Sequence, residues 1–512
     1  MDEEKSIPPS SNSSQQTLER SAAVDTSVND EDFWKYPVDQ QTGLRLVYYL
    51  DGESENPLNW SVAKKWTITL ALGFVCFMVA FNSSIVTGDI DGVAAYFHVS
   101  VEVVILTVTL FVVGFGVGPL VFAPLSEELG RKFIFNTTLF VAVIFIIPCA
   151  VAKNIGTLLV CRFIDGIAFS APMTVIGGCL ADMWTHEQRG LAMAVFSAAP
   201  FMGPVVGPLV GGFIGDYSTW RWVYYTMLIF SGCCYCLCLA IPETHAPTRL
   251  RKRAKKLCKL TGDNRYKCKQ DITAVPFHIM LKNSCTKPFI LLQEPIVFLF
   301  TLFMSHVYGL LYMFFFAYPV VFGEGKHWDD HRVGLVFIPI LIGIFIGVAF
   351  CPRINRKYNE KAKEYVDRGE IPPPELRLVP MLYCCPFLPI GMFIFAWTSM
   401  PHVSWWGPAI AGIPIGFSFI AIYNSANNYL VDAYQHSAAS ALAAKTFIRS
   451  MWGASVVLFT IPMYHRLGNQ WAGTLLAFLC LACCVIPFFF YKYGAVVRKR
   501  SKYAFSNEKM ND

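Results

Sequence analysis

Two ionisable side chains three residues apart stand in a run that is otherwise apolar: Arg162 and Asp165, within LLVCRFIDGIAFSAP at 158–172. A charge inside a membrane-spanning helix costs on the order of 2.5–3.5 kcal/mol on insertion scales, so such a residue faces a partner or a cavity. At this spacing the two share a helix face and are expected to neutralise each other. Protonation of Asp165 would release Arg162 and deprotonation would recapture it, the elementary event of a proton-coupled carrier; a fixed structural counter-ion is an equal alternative. A second polar set follows. YNSANNY at 423–429 puts Asn424, Asn427 and Asn428 on an apolar helix, where unpaired amides are costly. Lys445 and Arg449 come one turn apart, Lys445 expected to snorkel to the aqueous face and Arg449 to pair with Asp432. MSHVYGLLYMFFFAYP at 304–319 carries His306, Tyr308, Tyr312 and Tyr318 among phenylalanines expected mostly to face lipid. Its tyrosines suit apolar or cationic ligands, through stacking and cation–π attraction of roughly 0.5–2 kcal/mol.

The elements that position these residues follow from composition. The chain has 512 residues, 54% hydrophobic and only 15% charged, too apolar for an ordinary soluble domain and consistent with a membrane protein. A helix needs roughly 20 mainly apolar residues to cross a bilayer. Twelve such stretches are legible, at about 66–87, 101–122, 132–152, 157–182, 190–214, 222–241, 295–317, 332–352, 378–399, 405–431, 440–462 and 470–491. The polar, Ser-rich first 60 residues carry no signal peptide, so the first span is expected to direct insertion. Basic clusters at 249–260, 352–358 and 497–502 fall on one side, against isolated Lys153, Arg221 and Arg466 on the other, which predicts cytoplasmic termini. Basic flanks of this kind meet anionic lipid and point away from nucleic acid. Of the 17 cysteines, most lie in or beside spans as small apolar side chains, and no spacing suggests a metal site or a nucleotide-binding loop. No cofactor is expected.

One stretch breaks the ordinary rules of helix composition. FMGPVVGPLVGG at 201–212 places Gly203, Gly207 and Gly211 four apart, follows two of them with Pro204 and Pro208, and ends on Gly212. Each Gly costs about 1 kcal/mol and each interior Pro about 3 kcal/mol relative to Ala in a helix, so neighbouring helices must hold it. Four-residue spacing lines the glycines on one side for close backbone approach, and the prolines free carbonyls that neighbours can re-satisfy. Elsewhere, Asn82 and then Asp89 and Asp91 mark the end of the first span, the acids expected in a solvated loop, and Glu294-Pro295 reads as a Pro-initiated helix entry. A repeat is expected between VVGFGVGPLVFAPLSEELGRKF (112–133) and LIGIFIGVAFCPRINRKY (341–358), each a glycine-punctuated helix ending in a turn and an Arg-Lys-aromatic triplet.

These motifs carry a resemblance. APLSEELGRK (123–132), CRFIDGIAFSAP (161–172) and GPVVGPLVGG (203–212) resemble three signatures of the major facilitator superfamily, the last being the span-five motif of its proton-coupled antiporters. NPLNWS (56–61), WRW (220–222), PETHAP (242–247) and NYLVDAY (428–434) are similar to the fungal branch of the twelve-span drug:proton antiporters, which includes multidrug and polyamine exporters. The resemblance implies that Glu127, Gly130 and Arg131 form a conformational latch, with Glu127 where Asp is usual and Glu128 where Arg is usual. It implies that the span-five motif seals the cavity between two halves; at Asp165, beside Arg162, the family usually has Gln, which leaves a specialised proton carrier and a structural counter-ion as equal readings.

The resulting expectation is an all-helical membrane protein of twelve transmembrane helices in two six-helix halves. The division is a cytoplasmic tail at 1–65, largely disordered, halves at 66–241 and 295–491, a basic cytoplasmic connection at 242–294 and a tail at 492–512. The expected activity is secondary transport, not enzymatic: proton-coupled export of small organic molecules, drugs, xenobiotics or polyamines, with Asn82, Tyr308, Tyr312, Asn424, Asn427, Asn428 and Arg449 lining the substrate cavity. Its partners are a small-molecule substrate, protons and the lipid bilayer, in a monomer at the plasma membrane or an internal membrane such as the vacuole. An importer of a cationic nutrient and a non-transporting receptor with a carrier fold are the alternatives.

Overall fold

The computed structural model describes residues 36, 38, 43–50, 52–185, 188–272, 276–370, 372–501 and 503–504. Most of the tail expected at 1–65, the last residues of the tail at 492–512 and Lys502 of the terminal basic cluster lie outside the described residues. The chain forms two compact units, Met1–Asp51 with Arg249–Ala274, and Gly52–Thr248 with Val275–Asp512.

In the smaller unit strand β1 (Arg45–Val47) pairs in parallel with β2 (Tyr266–Cys268), Leu46 opposite Lys267. Tyr36, Val47, Ala254, Leu257 and Tyr266 make its core. The basic run at 249–260 is helical, within Ala246–Thr261, with Ala254 and Leu257 in that core and Leu250 and Cys258 packed against it. A sequence dominated by Lys and Arg hides that amphipathic pattern.

The larger unit holds the spans. Among the described residues eleven helices are long and apolar enough to cross a membrane. The last, Ala438–Arg500, has 63 residues and a break at Gly468 (φ 76°, ψ 157°). At 1.5 Å per residue it would extend about 95 Å, three bilayer cores, so it is two spans joined at that glycine. The twelve spans expected from hydropathy are thus present, most of them longer than their apolar cores. Span one (Val62–Ser84) continues through a 3-10 turn and the helix Ile90–Phe97. Asp89 is therefore no loop residue: its Oδ1 accepts from Gly92 N–H at 3.0 Å and caps that helix. Spans two to six are Val101–Leu129, Arg131–Ala150, Ile155–Met183, Arg189–Tyr217 and Arg221–Ala240. Span seven (Pro295–Tyr318) starts with Pro at its first turn, as expected, after Glu294. Span eight comprises Asp330–Leu335 and Ile338–Asp367, span nine Val379–Cys384 and Phe387–Thr398, span ten Gly412–Ala433.

Each half is held by glycine-mediated contacts, and the halves repeat them. A Cβ on Gly114 of span two would strike the Phe163 carbonyl of span four, and one on Gly166 the Phe111 carbonyl in return. In the second half a Cβ on Gly343 of span eight would strike the Ile413 carbonyl of span ten, and one on Gly416 the Ile340 carbonyl. The glycine part of the repeat at 112–133 and 341–358 is thus built into equivalent helix crossings. Its end is not: span eight runs helically through Arg356-Lys357-Tyr358 to Asp367, with no turn before the triplet. Nothing there resembles the Leu-Gly break after span two, where Gly130 takes φ +97°.

These crossings generate a test of the fold. Gly166→Leu should destabilise the purified protein by about 1–3 kcal/mol or more, because a side chain must displace backbone. Gly232→Leu, whose Cβ meets open space, should leave the detergent melting midpoint unchanged. Equal midpoints for the two variants would contradict the close crossing.

Candidate functional site

At the centre of the bundle Arg162 and Asp165 are both completely buried. They do not pair. Arg162 Nη2 donates to the backbone carbonyl of Asn82 at 3.1 Å, and its guanidinium lies 4.3 Å from the Phe111 ring centroid. Both Asp165 carboxylate oxygens are buried without a hydrogen-bond partner. The mutual neutralisation expected from their spacing is absent, because span one offers the guanidinium a carbonyl and span two offers it a ring face. Asn82 is a bracket, not a cavity wall: fully buried, its Nδ2 donates to Ser231 Oγ of span six at 2.7 Å.

The neighbouring residue carries the contact to the other half. Tyr312 of span seven donates its hydroxyl proton to Ser83 Oγ at 3.0 Å, and Tyr308 donates to Tyr312 at 3.2 Å. The Arg449 guanidinium sits 4.2 Å from the Tyr308 ring centroid. A polar thread therefore runs from Arg449 through Tyr308, Tyr312, Ser83 and the Asn82 carbonyl to Arg162, one helical turn from Asp165. Phe314, Phe315 and Phe316 are buried, contrary to the expected lipid exposure, because both flanks of span seven are covered by protein.

Two further expectations are corrected in spans ten and eleven. Lys445 does not snorkel: it is 2% exposed, and its Nζ donates to Asn427 Oδ1 at 2.6 Å. Arg449 does not pair with Asp432; its Nη1 donates to the Tyr423 hydroxyl at 3.2 Å. Asp432 is held by Arg377 Nε at 2.7 Å, at the opening turn of span nine. Asn424 Nδ2 reaches Cys351 Sγ of span eight at 3.6 Å, and Asn428 is half-buried on the same helix.

That Arg377–Asp432 pair has a counterpart at the same end of the bundle, the end from which the connection between spans six and seven leaves. Arg131, at the start of span three, reaches Asp182 at the end of span four at 3.5 Å and donates to Ser126 Oγ at 2.6 Å. Glu127, expected in the latch with Arg131, is instead exposed, lining a cavity of about 270 Å³ with Met280, Lys287 and Ala443. Glu243, after span six, accepts from the backbone N–H groups of Arg131 and Lys132 at 3.1 and 3.2 Å. It thereby caps span three where the positive helix end favours an anion. Gly130 lets it approach, since a Cβ there would meet Glu243 Oε2 at 2.5 Å. In the second half the equivalent contact has exchanged charges: Arg498, ending span twelve, holds Glu375, opening span nine, at 2.8 Å. Asp182, Glu375 and Arg377 fall in none of the sequence motifs, and Glu243 only within PETHAP. A signal existed, Leu180-Ala-Asp182 against Leu430-Val-Asp432, but three residues are too few to stand out.

The span-five motif divides its contacts. A Cβ on Gly203 would meet the Phe77 carbonyl at 2.5 Å, one on Gly207 would strike Ser84, and one on Gly211 the Ile85 carbonyl, all in span one. Ser84 Oγ donates to the Pro204 carbonyl at 2.9 Å, replacing the donor that Pro208 lacks. Gly212 alone turns to the other half, where a Cβ would meet the Asp330 carbonyl of span eight at 2.5 Å. One turn on, Asp216 accepts from the His331 backbone N–H at 2.7 Å and lies 2.6 Å from its ring nitrogen. The halves thus meet along spans five and eight at the end opposite the Arg131–Asp182 pair.

Two six-helix halves related by a repeat and enclosing buried charge are the architecture of a multi-pass membrane transporter, and the relatives are transporters and not enzymes. The chain belongs to the Major Facilitator Superfamily, whose profile matches residues 70–458. It is 52% identical over 466 residues to an MFS-type transporter of Penicillium rubens, covering 91% of this chain and 84% of that one. It is 44% identical to a major facilitator superfamily multidrug transporter of Aspergillus fumigatus (90% and 76% covered). It is 39% identical to polyamine transporter 3 of Saccharomyces cerevisiae (89% and 73% covered). The fold matches the crystal structure of the human organic anion transporter MFSD10, with TM-score 0.54 and 14% identity, over 84% of this chain and 100% of that one.

The geometry of span five predicts a conformational phenotype. Gly207→Leu should reach the membrane yet transport at least ~10-fold more slowly, since a branched side chain wedges spans one and five apart. Single-Cys labelling at the two bundle ends, in a Cys-depleted background, should change in opposite directions. Normal transport by Gly207→Leu would remove any role for the motif in the cycle.

Proposed function

We propose that the protein is a proton-coupled antiporter that exports small organic molecules, acting as a monomer in the plasma membrane with the 249–260 and 352–358 basic segments in the cytoplasm. The observation that carries this reading is Asp165: a carboxyl group fully buried with both oxygens unpartnered, beside an Arg162 that is held by something else. A buried carboxylate without a counter-charge is strongly disfavoured, so this arrangement suits the protonated acid. Loss of the proton creates a charge that attracts Arg162 away from the Asn82 carbonyl. Because Asn82 and Ser83 are adjacent, that shift disturbs the Ser83–Tyr312 contact to the second half, and proton release is felt where the halves meet. Export and a small organic substrate follow the relatives, which include transporters named for multidrug and polyamine transport.

Alternating access then requires the span five–span eight contact and the opposite end to open in turn. Within each half the Arg131–Asp182 and Arg377–Asp432 pairs keep neighbouring spans together, so the movement is concentrated between halves.

Asp165→Asn should insert normally and lose pH-gradient-driven flux in vesicles by ~10-fold or more, because the amide keeps the shape and loses the titratable proton. Substrate-for-substrate exchange, which needs no net proton movement, should persist. Gradient-driven flux equal to that of the unaltered protein would make Asp165 a structural residue and sink the proposed coupling.

A further inference from the structure

Lys445 and Arg449 are 2% and 3% exposed, one turn apart on span eleven. Each was expected to reach water or an acid, and neither does. Lys445 has the Asn427 amide oxygen and the Tyr423 ring, 4.8 Å from its Nζ. Arg449 has the Tyr423 hydroxyl and the Tyr308 ring, and its Nε is buried without a partner. The charge-bearing groups that face the pair are Tyr423, Tyr308, Tyr312 and each other, with no Asp or Glu among them. The nearest candidate on the adjoining span, Asp432, is committed to Arg377. Two positive charges therefore share the interior of a membrane protein without a carboxylate within 4.0 Å among the described residues.

Buried cations without counter-charge are costly, and truncation to apolar groups of similar volume is commonly neutral or stabilising. Structure alone does not explain their presence. The rings around them add a second observation: Tyr308 of span seven and Tyr423 of span ten border the cations, and Phe201 of span five packs edge-on against Tyr423 at 5.0 Å. A guanidinium presents a planar fork that suits a carboxylate or sulfonate, and an ammonium adds a point charge beside it.

We propose that Lys445 and Arg449 form the substrate subsite and that the substrate is an organic anion, an aromatic ring bearing a carboxylate or sulfonate. The acidic group replaces the missing counter-charge, with Arg449 Nε and Lys445 Nζ as its donors, while the ring packs between Tyr308, Tyr423 and Phe201. The site would reject polyamines, whose charges add to the two already there. This narrows the substrate class of the proton-coupled exporter proposed above and rests on that reading.

The probe is naphthalene-1-sulfonate, which stays ionised and so does not leak across vesicles as a neutral acid, with spermidine as the cationic control. The purified full-length protein should gain thermal stability with the sulfonate and not with spermidine. Lys445→Met and Arg449→Met should lose that gain and at least ~10-fold of sulfonate flux, while Lys445→Arg keeps most of both. Their own melting midpoints without ligand should equal or exceed that of the unaltered protein, since an uncompensated charge has been removed. A large drop in those midpoints would show that the cations are structurally paired and would overturn the assignment. Gradient-driven spermidine flux without sulfonate flux overturns it while leaving the antiporter standing. Sulfonate flux that ignores the pH gradient supports the anion subsite and defeats proton coupling. The absence of both flux and stabilisation with the sulfonate overturns the subsite.

Discussion

An ionised side chain surrounded by apolar helices has no water to turn to, and the way this bundle distributes its charges under that constraint separates one end from its centre. At the end where spans three and nine begin, charges are matched: Arg131 with Asp182, Arg377 with Asp432, Arg498 with Glu375. At the centre they are not. Arg162 rests on a carbonyl and a ring face, Asp165 has no partner, and Lys445 and Arg449 rest on amide, phenol and aromatic groups. A bundle selected for stability alone would pair or remove buried ions first in the middle, where desolvation costs most. The opposite distribution places the unmet demand for charge where a proton and a substrate would pass.

The matched charges also fix what can move. The Arg131–Asp182 and Arg377–Asp432 pairs each join the beginning of one span to the end of another within the same half, and the glycine crossings of spans two and four, and of eight and ten, also hold each half together. Backbone packed against backbone has little slack. Between the halves the contacts are of several kinds: glycine against backbone at Gly212 and Gly334, one His–Asp contact, hydroxyl against hydroxyl at Ser83 and Tyr312, and ring against ring at Phe201 and Tyr423.

The spans and the fold were legible in the sequence because membrane helices announce themselves by length and hydropathy, a signal that survives without knowledge of any neighbour. The glycines of spans two, five and eight were legible for the same reason, as departures from helix propensity that demand a close partner. Which partner was not legible: Gly203, Gly207 and Gly211 face span one of their own half, and only Gly212 faces the other. Ionic partnerships were the least legible. Spacing along one helix suggested Arg162–Asp165, and Arg449 was expected to pair with Asp432, yet the observed partners come from other spans, Asn82 for Arg162 and Arg377 for Asp432. Hydropathy also failed at the polar segments. The residues 353–367 and 249–260 are helical although strongly charged, since a helix needs only one covered face, or none when it extends a longer one.

Three consecutive residues of span one show how these parts are joined. The Asn82 carbonyl accepts from Arg162 of span four, Ser83 Oγ accepts from Tyr312 of span seven, and Ser84 Oγ donates to the Pro204 carbonyl of span five. Adjacent residues on a helix point about 100° apart, so one turn reaches three neighbours at once. The carbonyl that Ser84 holds is the one freed by Pro208, the point at which span five bends most cheaply. A displacement of this single turn is therefore registered by the charged pair of the first half, by the tyrosine thread of the second, and by the proline-weakened helix between them. No longer chain of intermediates is required, because the residues that would sense a proton, touch the opposite half and permit bending are bonded to neighbouring peptide units of one helix.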